Sequence, residues 1–397
     1  LVSPRRLRAP LLAVVFALLA NGCWDRVEIN NRGFVAGVSI DTLPAEDGTE
    51  ERAKSAAPYR ICYQIVVPGG QSGDGESSKG STGYSNLCGK AASLSAFHQY
   101  ATDKLSRPPF YDHLKVILVS DQVARKGTGF ADMLDFFMRG AGVRRSIKIL
   151  VAKGNASEAL NSESPNEGLP ASDIEKISGN RSSLEKLPAT QIGFIHERFM
   201  NETSYAVQSL ETSDKSVLVS GSAIFDGKTN RQWGALNPRQ TTGLNFLRGY
   251  HMRGMITLES AGSSISLNIY EIKSRIRADV RDPEHIRFEA TINVVVGIRE
   301  SSGTIDLVQK TVMDRIQHDA ASEIESMIED AVDALQHDIG KDALGLGEEL
   351  KQNHPRTWEK VKSDWDQGKM LLSACEVRAH ATVGIRLTGT VDQTERG

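Results

Sequence analysis

Leu114-Lys115-Val116-Ile117-Leu118-Val119 is a nearly continuous apolar run, and Ile147 to Ala152 (IKILVA) is a second. Strands buried on both faces read this way, because neither face has to meet water. Between them, Phe130 to Arg139 has helical spacing, with Met133, Leu134, Phe136 and Phe137 as core candidates. Strand, helix and strand within about 40 residues predict a βαβ unit, and hence a partly parallel sheet.

Working outward, Phe34 to Ile40 and Tyr59 to Val67 are further strand candidates, rich in β-branched and aromatic residues. Residues 90–105 predict a helix with Ala91, Leu94, Phe97, His98, Ala101 and Leu105 on one face. The polar stretch 42–58 and the Gly/Ser-rich stretch 69–83 read as loops, and the second matches no phosphate-binding spacing. Residues 162–190, rich in Ser, Glu, Asn and Pro, read as a hinge with helical pieces, and Gln191 to Met200 as a helix. Tyr205 to Leu210 and Val217 to Phe225 alternate like strands, and Asp226-Gly227 is a turn dipeptide. Gly221 lies one residue too far from Gly227-Lys228-Thr229 for a phosphate loop, so that stretch reads as a hairpin.

Met255 to Leu258, Ile265 to Ala278 and His285 to Arg299 predict antiparallel strands. Residues 315–340 predict a helix whose stripe is Ile316, Ala320, Ile324, Met327, Ile328, Ala331, Leu335 and Ile339. Its carboxylates at Glu323, Glu325, Glu329, Asp330 and Asp333 mostly avoid that stripe, which is the pattern of a solvated face. Val377 to Leu387 predicts a closing strand.

The 397 residues carry a net charge of −3, so the basic footprint of a nucleic-acid binder is missing. Arg5, Arg6 and Arg8 precede the ten apolar residues Leu11 to Ala20, and then Cys23. That run is about half of what a membrane-spanning helix needs. It fits a secretory signal, and a cysteine after it fits a lipoprotein signal in which the thiol takes a diacylglyceryl group. An ordinary signal peptide with an incidental cysteine is the plainer alternative. The other cysteines are Cys62, Cys88 and Cys375. Cys62, in an apolar run, reads as a buried small hydrophobe, and a bridge to Cys88 stays open. No cysteine or histidine has zinc-ligand spacing, and no metal or cofactor is expected.

No catalytic motif stands in a supporting context. His113 is a candidate general base, against a structural histidine at a strand start. Trp358 and Trp365 are two helical turns apart, so both rings would face one side, either stacking on a ligand or anchoring a core.

Taken in order, these residues resemble one family, the Ger(x)C lipoproteins that are C subunits of bacterial spore germinant receptors. The likeness begins at Cys23-Trp24-Asp25-Arg26-Val27-Glu28-Ile29-Asn30 and Phe34 to Asp41. It continues through Arg107, His113 to Val116, Ala124 to Gly127, Leu134 to Arg139 and Val151 to Gly154 with Ala156. It ends in Asp342-Ala343-Leu344-Gly345-Leu346-Gly347, Pro355, Trp358 and Trp365. The resemblance implies an α+β, multi-domain protein of about three domains, with mixed and antiparallel sheets packed with helices. The expected division is a signal over 1–22, an N-terminal domain over 23–200, a strand-rich middle over 201–251 and a C-terminal domain over 252–391. It implies lipidation at Cys23 and a place on the outer face of the spore inner membrane. It implies two partners, an integral-membrane A subunit and a permease-like B subunit. No catalytic residue and no nucleic-acid partner come with it. Trp24, Asp25, Trp358 and Trp365 are the candidate partner or ligand contacts. The rival class is an independent solute-binding lipoprotein whose two lobes, joined at 162–203, close on a ligand. A surface hydrolase is a third class, for which motifs are missing.

Overall fold

Val116–Ser120 is buried at every residue. The alternation of side chains along a strand explains this. Val116 and Leu118 enter one hydrophobic cluster, while Ile117 and Val119 enter another. The sheet is therefore covered on both faces. The computed structural model describes residues 32–43, 58–67, 83–127, 129–140, 143–282, 285–302, 307 and 309–386. The expected loops at 42–58 and 69–83 lie largely outside the described residues.

The first unit runs β1 (Gly33–Thr42), β2 (Tyr59–Val66), β3 (Tyr84–Ala91), α1 (Leu94–Lys104), β4 (Pro109–Phe110), β5 (Val116–Ser120), α2 (Asp121–Arg125), α3 (Gly129–Arg139) and β6 (Lys148–Lys153). Then follow α4 (Ala156–Ala159), α5 (Pro170–Gly179), α6 (Ile192–Asn201), β7 (Tyr205–Ser213), β8 (Ser216–Phe225), β9 (Gln232–Leu236) and α7 (Pro238–Arg248). The strands form a nine-stranded mixed sheet in the order β3-β2-β1-β5-β6-β7-β8-β9, with β4 against β1. β5 and β6 are parallel, so the βαβ unit stands. Helices α1, α3 and α6 cover one face through Leu94, Phe97, Phe130, Leu134 and Ile195. Helices α4 and α5 cover the other through Ala156, Ala159, Ala171 and Ile174. The stretch 201–251 supplies three strands and a helix, and its strands continue this sheet.

The second unit is β10 (Gly254–Ser260), β11 (Ser263–Asp279), β12 (Arg287–Ser301), α8 (Lys310–Asp333), α9 (Leu346–Asn353), α10 (Pro355–Val361), α11 (Leu371–Ala374) and β13 (Glu376–Ile385). β10, β11 and β12 are antiparallel, as expected, and β13 returns parallel to β12. α8 lays its stripe from Ile316 to Ala331 on the sheet core and passes into a π-helical turn, Ala334–Asp338, where Leu335 is buried. Two of its carboxylates, Glu323 and Asp330, bind Arg239 of α7, and Glu325 accepts from the Ala381 backbone. The acidic face is thus partly used in packing rather than only solvated.

Two expectations are corrected. The hinge at 162–190 is a packed segment. α5 buries Ala171 and Ile174, Gln64 accepts the Ala171 N–H at 2.8 Å, and Lys148 donates to the Glu175 carbonyl at 2.6 Å. Leu184 and Leu187 then enter the core of the second unit. Its polar composition reflects surface turns and helix ends, not freedom. Second, Cys62 is not a lone buried hydrophobe: it forms a disulfide with Cys88. β2 and β3 pair antiparallel with these two residues directly opposite, a relation set by strand register that spacing alone does not reveal.

Candidate functional site

The two units meet where α6, the end of α7 and residues 341–348 converge. α7 has a well-defined start and stop. Asn237 caps it with Gln240 reciprocating, Pro238 opens it, and Gly249 closes it at φ 61°. The stop carries Arg248 to the junction. There Asp342 is buried, and its carboxylate accepts from the backbone N–H groups of Gly345 at 2.8 Å, Leu346 at 3.2 Å and Gly347 at 2.6 Å, and from the Trp365 indole at 2.8 Å. Burial pushes this carboxyl up, and those bonds oppose the rise. Gly345 sits at φ 84°, and a Cβ there would strike the Arg248 guanidinium. The run Asp342 to Gly347 is therefore a turn built to admit Arg248 beside the start of α9.

Glu348, on α9, joins the units electrostatically. One of its oxygens takes Arg248 at 2.9 Å, and the other takes Arg198 of α6. Burial would raise the Glu348 carboxyl, but the two guanidinium groups outweigh it and hold the carboxyl below its usual range. Arg198 also lies 4.6 Å over the Phe194 ring, and Arg248 lies 5.7 Å from that of Tyr250. A second tie is Lys341, whose ammonium meets Asp226 at 2.6 Å and donates to the Asp366 carbonyl at 2.8 Å.

Beside this network is a cleft of about 190 Å³, bounded by Leu187, Thr190, Arg198, Tyr205, Leu244 and Glu348 among others. Tyr205 stacks on Phe225 with centroids 5.1 Å apart. The Tyr205 hydroxyl and the Arg198 Nε are both buried and have no hydrogen-bond partner among the described residues. Among the described residues, no His, Cys or Lys lines the cleft. Asp342 is engaged by backbone N–H groups and the Trp365 indole, and Glu348 by two guanidinium groups. Ser204, also at the cleft, donates its hydroxyl to the Asp366 carboxylate at 2.5 Å.

Of the residues singled out in sequence, Cys23, Trp24 and Asp25 lie outside the described residues. Trp365 is 2 % exposed, bonded to Asp342 and edge-on to Phe288 at 6.2 Å. Trp358 meets it edge-on at 5.9 Å and caps Gly347. α10 ends at Val361, so the rings do not share a continuous helix face; they meet because the chain turns after it. Trp365 is a core anchor, and Trp358 packs partly buried against the same core. His113 is exposed and packs edge-on against Phe34 at 5.1 Å. The 221–229 stretch is the β8–β9 hairpin, not a phosphate loop. Arg198, Tyr205, Arg248 and Glu348 escaped the sequence reading. They come from four separate elements and form no local pattern.

The described helices include none long and apolar enough to cross a membrane. The two halves match two family models: "Spore germination protein N-terminal domain" over residues 25–211, and "Spore germination B3/ GerAC like, C-terminal" over 220–389. Spore germination protein YndF of Bacillus subtilis (strain 168) is 26 % identical, over 98 % of each chain. Spore germination protein B3 of the same organism is 24 % identical over 89 % of this chain and 91 % of its own. Spore germination protein A3 is 25 % identical over 96 % and 97 %. The crystal structure of the GerBC protein shares the fold, with a TM-score of 0.59 and 22 % identity, covering 90 % of this chain and 99 % of that one. The class defined is a two-sheet α+β spore germination protein. The chain belongs to the Ger(x)C family.

Proposed function

We propose that this chain is a non-enzymatic, lipid-anchored subunit of a nutrient germinant receptor. It sits on the outer face of the spore inner membrane with an integral-membrane A subunit and a permease-like B subunit. The observation that carries this is the pair of family matches, which span 25–211 and 220–389 and open just after Cys23. Cys23 is the anchor in this reading. Two or more acyl chains hold a body stably at a membrane, and tethering raises its effective concentration near membrane partners. The Cys62–Cys88 disulfide supports an exported location, because such bonds persist in oxidising compartments.

The rival, an independent solute-binding lipoprotein, draws on the same cleft. The packed segment 162–190 counts against two lobes closing about it. A Cys23→Ala chain tests the anchor. It should leave the membrane fraction of spores and slow nutrient-triggered germination. A variant that stays assembled and germinates normally would rule out an essential anchor.

A further inference from the structure

We propose that the end of the first unit where β1, β5 and β6 begin is a docking surface for anionic lipid headgroups. The inference rests on the lipid-anchored reading above and adds which surface of the body the membrane meets. The three strands run parallel, so their first residues gather at one end of the sheet. Arg32 stands just before β1, Lys115 just before β5, and Lys148 opens β6. The stretch that joins the body to Cys23 meets it at this end. Whatever their conformation, the nine links from Cys23 to Arg32 reach at most about 32 Å. β1 is ten residues, and hence about 30 Å, long. Its far end, where Thr42 donates to Gln122 of α2, could meet the membrane only with those links drawn nearly straight along the body. So short a tether favours the near end.

The charge of this end agrees. Lys104 closes α1 with Arg107 just beyond, and Arg144 and Arg145 follow α3. All four are exposed, and none is paired with a carboxylate among the described residues. Arg32 lies 3.9 Å over the Phe110 ring, and the Gly33 N–H donates to the Pro108 carbonyl at 2.9 Å, so the loop 107–110 is fixed beside the start of β1. The carboxylates at this end are Asp103, Asp112 and Glu175. Asp103 accepts from Gln99, and Glu175 is taken by Lys115 at 3.0 Å. Arg139 is neutralised by Asp135. With Arg32, Lys115 and Lys148 included, seven cations stand against those three carboxylates. The stretches 24–31 and 68–82 adjoin this end in sequence and are each one unit negative, which still leaves a positive surplus. The whole chain is at −3, so this end runs against the sign of its own protein. Basic side chains are attracted to an anionic bilayer within a Debye length, and arginine forks match headgroup phosphates.

The test uses the full chain, purified with its lipid from a host that processes lipoproteins and placed on vesicles of phosphatidylcholine, alone or mixed with phosphatidylglycerol. Ser106→Cys and Lys126→Cys each carry a fluorophore; both positions are exposed, the first at the near end and the second beside α2 at the far end. Cys62 and Cys88 are bridged and Cys375 is buried, so the introduced thiol takes the label. A nitroxide on the lipid headgroups reads proximity by quenching. On mixed vesicles the label at 106 should be quenched several-fold more than that at 126. The contrast should shrink on phosphatidylcholine alone and in Arg144→Glu/Arg145→Glu, while flotation with the vesicles stays unchanged. Equal quenching at the two positions, stronger quenching at 126, or a contrast indifferent to phosphatidylglycerol or to the charge reversal would overturn the proposal and leave the anchor intact. A chain that does not float with vesicles would overturn the anchored reading, and this proposal with it. The comparison of the two lipid mixtures needs no charge variant, so it stands even if that substitution misfolds.

Discussion

Lys341 and Asp226 form an ion pair buried at both ends, with side chains 6 % and 4 % exposed and 2.6 Å between nitrogen and oxygen. Asp226 opens the turn after β8 in the first unit, and Lys341 precedes α9 in the second. The pair therefore spans the junction. Removing one partner leaves a buried charge uncompensated, which typically costs about 3–5 kcal/mol. Lys341→Met should lower stability by about that much in urea unfolding. The double variant Lys341→Met/Asp226→Leu should cost clearly less than the sum of the singles. Strict additivity would show that the two do not interact.

Acid should weaken the same tie. Burial pushes the Asp226 carboxyl up, but the bonds from Lys341 and Thr229 outweigh it and hold it below its ordinary value of 3.8. A carboxyl depressed in the folded state stabilises fully above its unfolded value, and this is lost as pH falls through the folded one. The destabilisation by Asp226→Asn should thus be complete near neutrality and shrink below about pH 4. Stability curves of both proteins from pH 7 to 3 check this; a gap that widens on acidification would contradict the sign. Asp342, raised by burial, runs the other way, so total stability is a poorer readout than the difference.

Gly243 lies where α7 crosses α8. A Cβ there would stand 1.8 Å from the Met327 backbone oxygen, so the helices must move apart to admit it. Ala is the better helix former by about 1 kcal/mol. Overpacking against backbone typically costs 1–3 kcal/mol or more, by the usual range of about that size. Gly243→Ala should therefore destabilise, read as a lower urea midpoint. A gain in stability would mean the helices are not in this contact.

The cysteines should divide sharply. Cys62 and Cys88 should appear linked in a non-reducing peptide map, with Cys375 free. A cross-link over 26 residues contributes roughly 3.5 kcal/mol in the chain-entropy account, so Cys62→Ala/Cys88→Ala should lose about that much. Burial pushes the Cys375 thiol up to about 12. It should resist maleimide in the native protein and react once urea unfolds it. Rapid native labelling would refute its burial.

How much of this was legible in sequence depended on how local the cause was. The two-sided strand Val116–Ser120, the partner strand Lys148–Lys153 and the stripe of α8 follow from periodicity, because burial there repeats along one element. The disulfide did not, since its pairing depends on the register of two strands. The segment 162–190 misled because composition registers polarity but not the caps and carbonyl contacts that fasten it. Trp358 and Trp365 do come together, yet through a turn that spacing alone reads as helix. The Arg198–Glu348–Arg248 network joins residues from three elements, and nothing in any one of them announces the others.

The most direct test of the central claim is an affinity pull-down of the tagged full-length chain from mildly solubilised spore inner membranes, with mass spectrometry of what it carries. The account predicts recovery of an integral-membrane A-type protein and a permease-like protein in reproducible proportion. Recovery of the chain alone, at good yield, would contradict a receptor subunit and leave the independent solute-binding lipoprotein standing.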